Sequence, residues 1–173
     1  LFTPGTSDGL FLVSAAGGIP KRVTSVDSSK NESSHRWPCF LPDAKHFLFV
    51  IVGAIDEDDK AHLASIDDTS RVFVVTSNSN ILFAEPSHIL FSNNRTLMAQ
   101  SFEPGSGRLL GEPFPNANNV GTFPLIQLGD FSYSPAGILT TGLGRGVNRR
   151  YAWFDRKGTS LGSACPPGNY FDI

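Results

Sequence analysis

Residues 39–53 read CFLPDAKHFLFVIVG. The apolar stub Cys39-Phe40-Leu41 meets Pro42-Asp43-Ala44-Lys45, and the apolar run Phe47 to Val52 follows. Proline presets φ for a turn, and an aspartate side chain hydrogen-bonds backbone just beyond itself. The spacing therefore predicts strand, turn, strand. Six consecutive apolar residues suit a strand covered on both faces. The arrangement returns at 131–142, FSYSPAGILTTG, where Ser134-Pro135-Ala136-Gly137 again separates two strand-like segments. Ala136 replaces the aspartate there, so Gly137 and backbone bonds are expected to hold that turn.

Working outward, strand signals dominate. Leu10–Val13 is a short apolar strand closed by Gly17-Gly18, Arg22–Thr24 follows as a second, weaker strand, and the polar stretch Ser25–Ser34 reads as a loop. A first regular set follows: Trp37–Leu41, Phe47–Val52, Ala61–Ile66 and Arg71–Thr76. A second set is Ile81–Ala84, His88–Phe91, Thr96–Phe102 and Leu109–Phe114. Pro115–Gln127 reads as irregular. A third set is Phe131–Tyr133, Gly137–Thr141, Tyr151–Phe154 and Thr159–Leu161, with 169–173 starting another. Helical spacing of apolar residues at i, i+3, i+4 and i+7 is nearly absent.

The chain has 173 residues, enough for one domain with its own core. Charged residues make up 17% and hydrophobic residues 40%, which favours sheet and turn over exposed charge-laced helix. The net charge of -2 gives no electrostatic reason for nucleic-acid or anionic-membrane binding, so neither is expected as a partner. No apolar run has the length of a transmembrane helix, so no membrane contact is expected of this segment. Cys39 and Cys165 are read as free thiols rather than a disulfide. The first residues, Leu1-Phe2-Thr3-Pro4-Gly5, carry neither an initiator methionine nor a signal-peptide pattern, so the chain is expected to be a piece of a longer polypeptide or a processed product. The compartment is not readable from this.

Four-strand meanders recurring at roughly 40 to 50 residues are the mark of a β-propeller, because a single twisted sheet cannot bury both faces alone and neighbouring blades cover them. The expected fold is all-β, with about three full blades plus edge strands, a partial or small propeller. The blade pieces are placed at about 1–34, 35–79, 80–127, 128–168 and 169–173 within a single domain.

The sequence also resembles a known group, the bacterial WD-like propeller repeats related to the Tol-system propeller. Those repeats centre on a Ser-Pro-Asp-Gly-Lys turn between the first two strands of a blade. LPDAKHFLFV (41–50) matches it with Leu41 for serine and Ala44 for glycine, and YSPAGILTTG (133–142) keeps Ser134, Pro135 and Gly137. The middle unit departs from the pattern, with Glu85-Pro86-Ser87-His88 in that place. GGIPKRVT, HRWPCFLPDAKHFLFV, HILFSNNRTLMAQSFEPGSGRLLGEPF and YAWFDRKGTSLG together resemble the propeller region C-terminal to the kinase domain of bacterial receptor-like serine/threonine kinases. The resemblance implies a periplasmic or extracytoplasmic setting for a receptor-kinase sensor region, and a cytoplasmic one otherwise.

The constellations that carry chemistry are thin. Asp56-Glu57-Asp58-Asp59 lacks the glycine turn and distal glutamate of a calcium loop and reads as a solvated hairpin. Gly142-Leu143-Gly144-Arg145-Gly146 precedes a strand rather than a helix, so it is no dinucleotide or Walker loop. His35, His46, His62 and His88 have no zinc spacing and read as turn or packing histidines. No catalytic, cofactor-binding or metal-binding residue is assigned, and no cofactor. Arg145, Arg149 and Arg150 form a basic tip that is the candidate interaction site. Trp37, Trp153, Phe40, Phe49, Phe131 and Tyr133 are expected to pack between blades; any that lies exposed becomes a candidate partner anchor.

These readings predict a non-catalytic propeller module that binds a protein or peptide, or senses one, as part of a larger protein. The alternative is an accessory propeller of an enzyme, either a serine/threonine kinase or a prolyl-oligopeptidase-like peptidase. An incomplete ring would leave open sheet edges, which invite edge-to-edge oligomers.

Overall fold

The computed structural model describes residues 1–54, 59–123, 126–142, 152–155 and 159–166. Within them the protein is all-β, with antiparallel sheets and a single 3-10 turn, Ser28–Lys30. A two-stranded hairpin, β1 (Phe11–Leu12) and β2 (Lys21–Arg22), comes first. The first four-stranded sheet is β3 (Glu32–Phe40), β4 (His46–Gly53), β5 (Lys60–Ser65) and β6 (Arg71–Thr76), in that order. The second is β7 (Ile81–Ala84), β8 (His88–Asn93), β9 (Thr96–Glu103) and β10 (Arg108–Ala117). Three further hairpins follow: β11 (Thr122–Phe123) with β12 (Leu128–Gly129), β13 (Phe131–Tyr133) with β14 (Leu139–Thr141), and β15 (Ala152–Phe154) with β16 (Ser160–Ser163). Among the described residues, the expected third four-stranded set takes the form of two separate two-stranded sheets.

β4 explains why the sheets stack. Phe47 to Val52 are all buried. Leu48, Val50 and Val52 point to one side, where they share a cluster with Leu63, Val74, Ile81, Phe83, Ile89, Phe91 and Phe102. That side joins the first sheet to the second. Phe47, Phe49 and Ile51 point to the other, against Leu10, Leu1 and Val23 of the N-terminal segment. β8 repeats the scheme: Ile89 and Phe91 face the first sheet, while Leu90 meets Leu97, Ala99, Val120, Phe131 and Leu139 beyond. Each large apolar side chain so buried contributes about 1.5–3 kcal/mol. Four layers result, and each of the two four-stranded sheets is covered on both faces by a chain neighbour. β7, the first strand of the second sheet, lies against β3 and β4 of the first, and β13 lies against β7. The fourth strands are outermost, with Val72, Phe73, Leu110 and Phe114 exposed.

The two matching turns share a geometry. Ala44 N–H donates to Leu41 O (3.0 Å), and Gly137 N–H donates to Ser134 O (2.9 Å). The fourth residue of each is left-handed, with φ 56° at Ala44 and 80° at Gly137. Asp43 Oδ1 accepts from the backbone N–H of Lys45 (3.0 Å) and His46 (2.9 Å). The turn without aspartate is held by more than its glycine, because Ser134 Oγ accepts from Ile138 N–H at 3.3 Å.

β3 starts at Glu32, five residues before the expected Trp37, so the predicted loop Ser25–Ser34 ends in strand. β3 also bulges: Arg36 pairs with Val50 and Cys39 with Leu48, so Trp37 and Pro38 together oppose one residue of β4. β10 runs on through Pro113 and Pro115 into the stretch expected to be irregular, which an exposed edge strand tolerates.

Candidate functional site

Two features stand out on the first sheet: a buried polar network on its N-terminal face, and a recess beside the bulge of β3.

The network begins with His35, which has no solvent exposure. Its backbone N–H donates to Asp8 O (2.9 Å), and its carbonyl accepts from Thr3 Oγ1 (2.7 Å). Its Nδ1 lies 2.7 Å from Thr24 Oγ1, which itself accepts from Leu10 N–H at 2.8 Å. Nε2 lies 3.2 Å from Glu32 Oε2. Every group is matched if the ring is neutral: Thr24 O–H donates to Nδ1 and Nε2–H donates to Glu32. Glu32 also accepts from Asp27 N–H (2.8 Å) and from both terminal nitrogens of Arg71 (2.5 and 3.2 Å). Burial lowers the His35 pKa and outweighs the attraction of Glu32. For Glu32, burial works to raise the carboxyl, but the Asp27 N–H and Arg71 outweigh it, and the net direction is down. Rings continue outward across all four strands, His35 to Phe49 to His62 to Phe73, with centroids 5.2, 5.9 and 5.9 Å apart. Clefts of about 570 and 450 Å³ flank Arg71 and Lys30. Glu32, His35 and Arg71 are satisfied by one another, so the network fastens the N-terminal segment to the sheet rather than presenting a reactive group.

The recess has a volume of about 430 Å³ and is lined by Thr3, Gly5, Thr6, Arg36, Trp37, Pro38 and Ile126. Trp37 has a left-handed backbone, φ 52°, which is uncommon for a bulky side chain. It packs on one side against the core between the sheets and lines the recess with the rest. Arg36 is fixed above it: Nε donates to Ser34 Oγ (3.0 Å), one terminal nitrogen donates to Thr6 O (3.1 Å), and the guanidinium carbon lies 5.9 Å from the indole centroid.

Other expectations have their places. Arg145, Arg149 and Arg150, and Asp56, Glu57 and Asp58, lie outside the described residues. Asp59 is buried rather than solvated, and Gly53 N–H donates to its Oδ1 at 2.9 Å. Phe49 and Phe131 are buried between layers, but Phe40 and Trp153 are exposed. Cys39 and Cys165 are free. Among the described residues no group of three or more His, Cys, Asp or Glu side chains is placed to hold a metal, and no helix is long and apolar enough to cross a membrane. The recess escaped the sequence reading, although Pro38 within a strand pattern is a signal of a bulge or an edge.

Compared with models of known protein families, with curated proteins and with solved structures, the chain matches none.

Proposed function

We propose that this chain is a β-propeller module, part of a larger protein, that binds a protein or peptide without catalysing a reaction on it. One observation carries the reading: the sheets stack with β7 against β3 and β4 and β13 against β7, so that the first strands lie inside the stack, while the fourth strands β6 and β10 carry exposed apolar side chains. Stacking with first strands inside and fourth strands outside is what blades set about a common axis would give, and it supports the propeller reading. The four-stranded meanders are then blades, and the hairpins on either side belong to neighbouring ones. A rigid scaffold of this kind holds loops and first-strand side chains in fixed positions, which suits recognition.

The test is an array of immobilised peptides of varied charge and apolarity, probed with the purified 173-residue chain. Saturable binding to a chemically related subset is expected. Absence of binding across the array, or turnover of peptide or ester substrates by the chain, overturns the reading.

A further inference from the structure

We infer that the recess beside the β3 bulge is a binding site for a peptide segment in which an apolar side chain neighbours a carboxylate. This rests on the peptide-binding reading above and gives it a location and a ligand chemistry.

The chemistry follows from the lining. The indole of Trp37, the ring of Pro38 and the side chain of Ile126, itself exposed, supply apolar walls. An aliphatic side chain entering there is desolvated by a rigid aromatic surface, the kind of anchor that dominates recognition. The charge comes from Arg36. Its guanidinium is held by two neutral acceptors, Ser34 Oγ and Thr6 O, and none of the ion pairs among the described residues involves it. A guanidinium offers five donors in a plane, and two are used here. The remaining donors suit the two oxygens of a carboxylate. Arg71 is the contrast, since both its terminal nitrogens are spent on Glu32.

The backbone points the same way. Trp37 and Pro38 occupy the bulge, and bulges re-aim side chains out of the ladder. The left-handed φ of Trp37 holds an otherwise disfavoured conformation, as residues at ligand clamps do. On the ring reading, β3 is a first strand, so the recess opens toward the axis.

The experiment uses the two tryptophans. A Trp153→Phe protein leaves Trp37 as its single indole. It is titrated with the peptide acetyl-Gly-Ser-Leu-Glu-Leu-Gly-amide, with the analogue carrying glutamine for glutamate, and with the analogue carrying glycine for both leucines, following Trp37 emission. The acidic apolar peptide is expected to shift the emission saturably, and each analogue to bind at least about tenfold more weakly, as expected for loss of a charge-assisted bond or an apolar anchor. Arg36→Gln is expected to remove the preference for glutamate over glutamine. Because Arg36 also ties down Thr6, Ile126→Asp supplies a second variant: it leaves those bonds intact and should repel the acidic peptide. Equal affinity for the glutamate and glutamine peptides, an unchanged affinity in both variants, or no response of Trp37 overturns the inference. If array peptides still bind while both variants leave that binding unchanged, the module reading stands and only this location fails.

Discussion

The guanidinium of Arg71, the first residue of β6, grips the carboxylate of Glu32, the first residue of β3, through both terminal nitrogens. The pair spans a four-stranded sheet from edge to edge, 39 positions apart in sequence. Glu32 is nearly buried, and Arg71 is about a quarter exposed at 24%. Removing one partner of a buried pair strands the other, at a cost of about 3–5 kcal/mol in dry sites. Partial exposure of Arg71 reduces this, so Arg71→Met is expected to cost about 2 kcal/mol, or about 5 °C in Tm. The double variant with Glu32→Gln should cost less than the two singles summed, by about 1 kcal/mol, in urea denaturation.

His35 makes the fold sensitive to mild acid. Burial lowers its pKa, and Glu32, Arg71 and His62 are the charged or titratable groups that act on it. Unfolded, it titrates near 6.5. Below that pH the unfolded chain takes up a proton that the folded chain resists. The stabilisation is therefore complete above about 6.5 and declines as the pH falls through it. Half-buried His62, lowered mainly by burial, adds in the same sense. A second decline follows in stronger acid. Asp43, held down to about 2 by its hydrogen bonds to the His46 ring and to the His46 and Lys45 N–H groups, must then be protonated. Urea midpoints measured from pH 8 to pH 5 should fall with acid. The slope should flatten in His35→Gln, whose absolute stability is lower at pH 8.

Ala44 adopts φ 56°, where a side chain costs about 1–2 kcal/mol. Glycine removes that strain but gives the unfolded chain extra freedom worth about 0.4–1 kcal/mol. Ala44→Gly should therefore stabilise by about 0.5 kcal/mol, read as a raised urea midpoint at constant m. Asp43→Ala should act oppositely, because three hydrogen bonds to that carboxylate disappear together. An Asp43→Ala protein that melts unchanged would contradict this structural role.

Strand positions were legible where periodicity and turn chemistry agree. Phe47 to Val52 announces its own two-sided burial, and Pro42-Asp43 and Ser134-Pro135 announce their turns. The start of β3 was not legible. Glu32, Ser33, Ser34 and His35 look like loop residues, and what makes them strand lies far away: Arg71 neutralises Glu32, while Asp8, Thr3 and Thr24 meet His35. Partners chosen by tertiary structure leave no periodic trace. The Arg36–Trp37 recess was hidden for a related reason. A bulge is a one-residue register shift between two strands, and only Pro38 hinted at it. Trp153 and Phe40 were expected to pack between layers, but apolar character does not reveal which face has a neighbour.

The docking of the two four-stranded sheets can be tested at one glycine. Gly107 closes the β9–β10 turn with φ 71°, and a Cβ there would lie 3.0 Å from Leu63 Cδ2 and 3.6 Å from Val72 Cγ1. Leu63 and Val72 belong to β5 and β6, so this turn of the second sheet rests on the first. Alanine at 107 adds left-handed strain of about 1–2 kcal/mol and a close approach that Leu63 must relieve by shifting. Gly107→Ala should therefore cost about 2 kcal/mol in urea denaturation. Gly105, in the same turn with nothing within 4 Å of its would-be Cβ, is the control, and Gly105→Ala should change stability by less than about 0.5 kcal/mol. Leu63→Ala alone opens a cavity costing about 2–4 kcal/mol. Combined with Gly107→Ala it should cost less than the sum, because the new methyl then meets a space instead of a side chain. Strict additivity of the two would mean that the turn does not rest on Leu63, and that the sheets meet elsewhere.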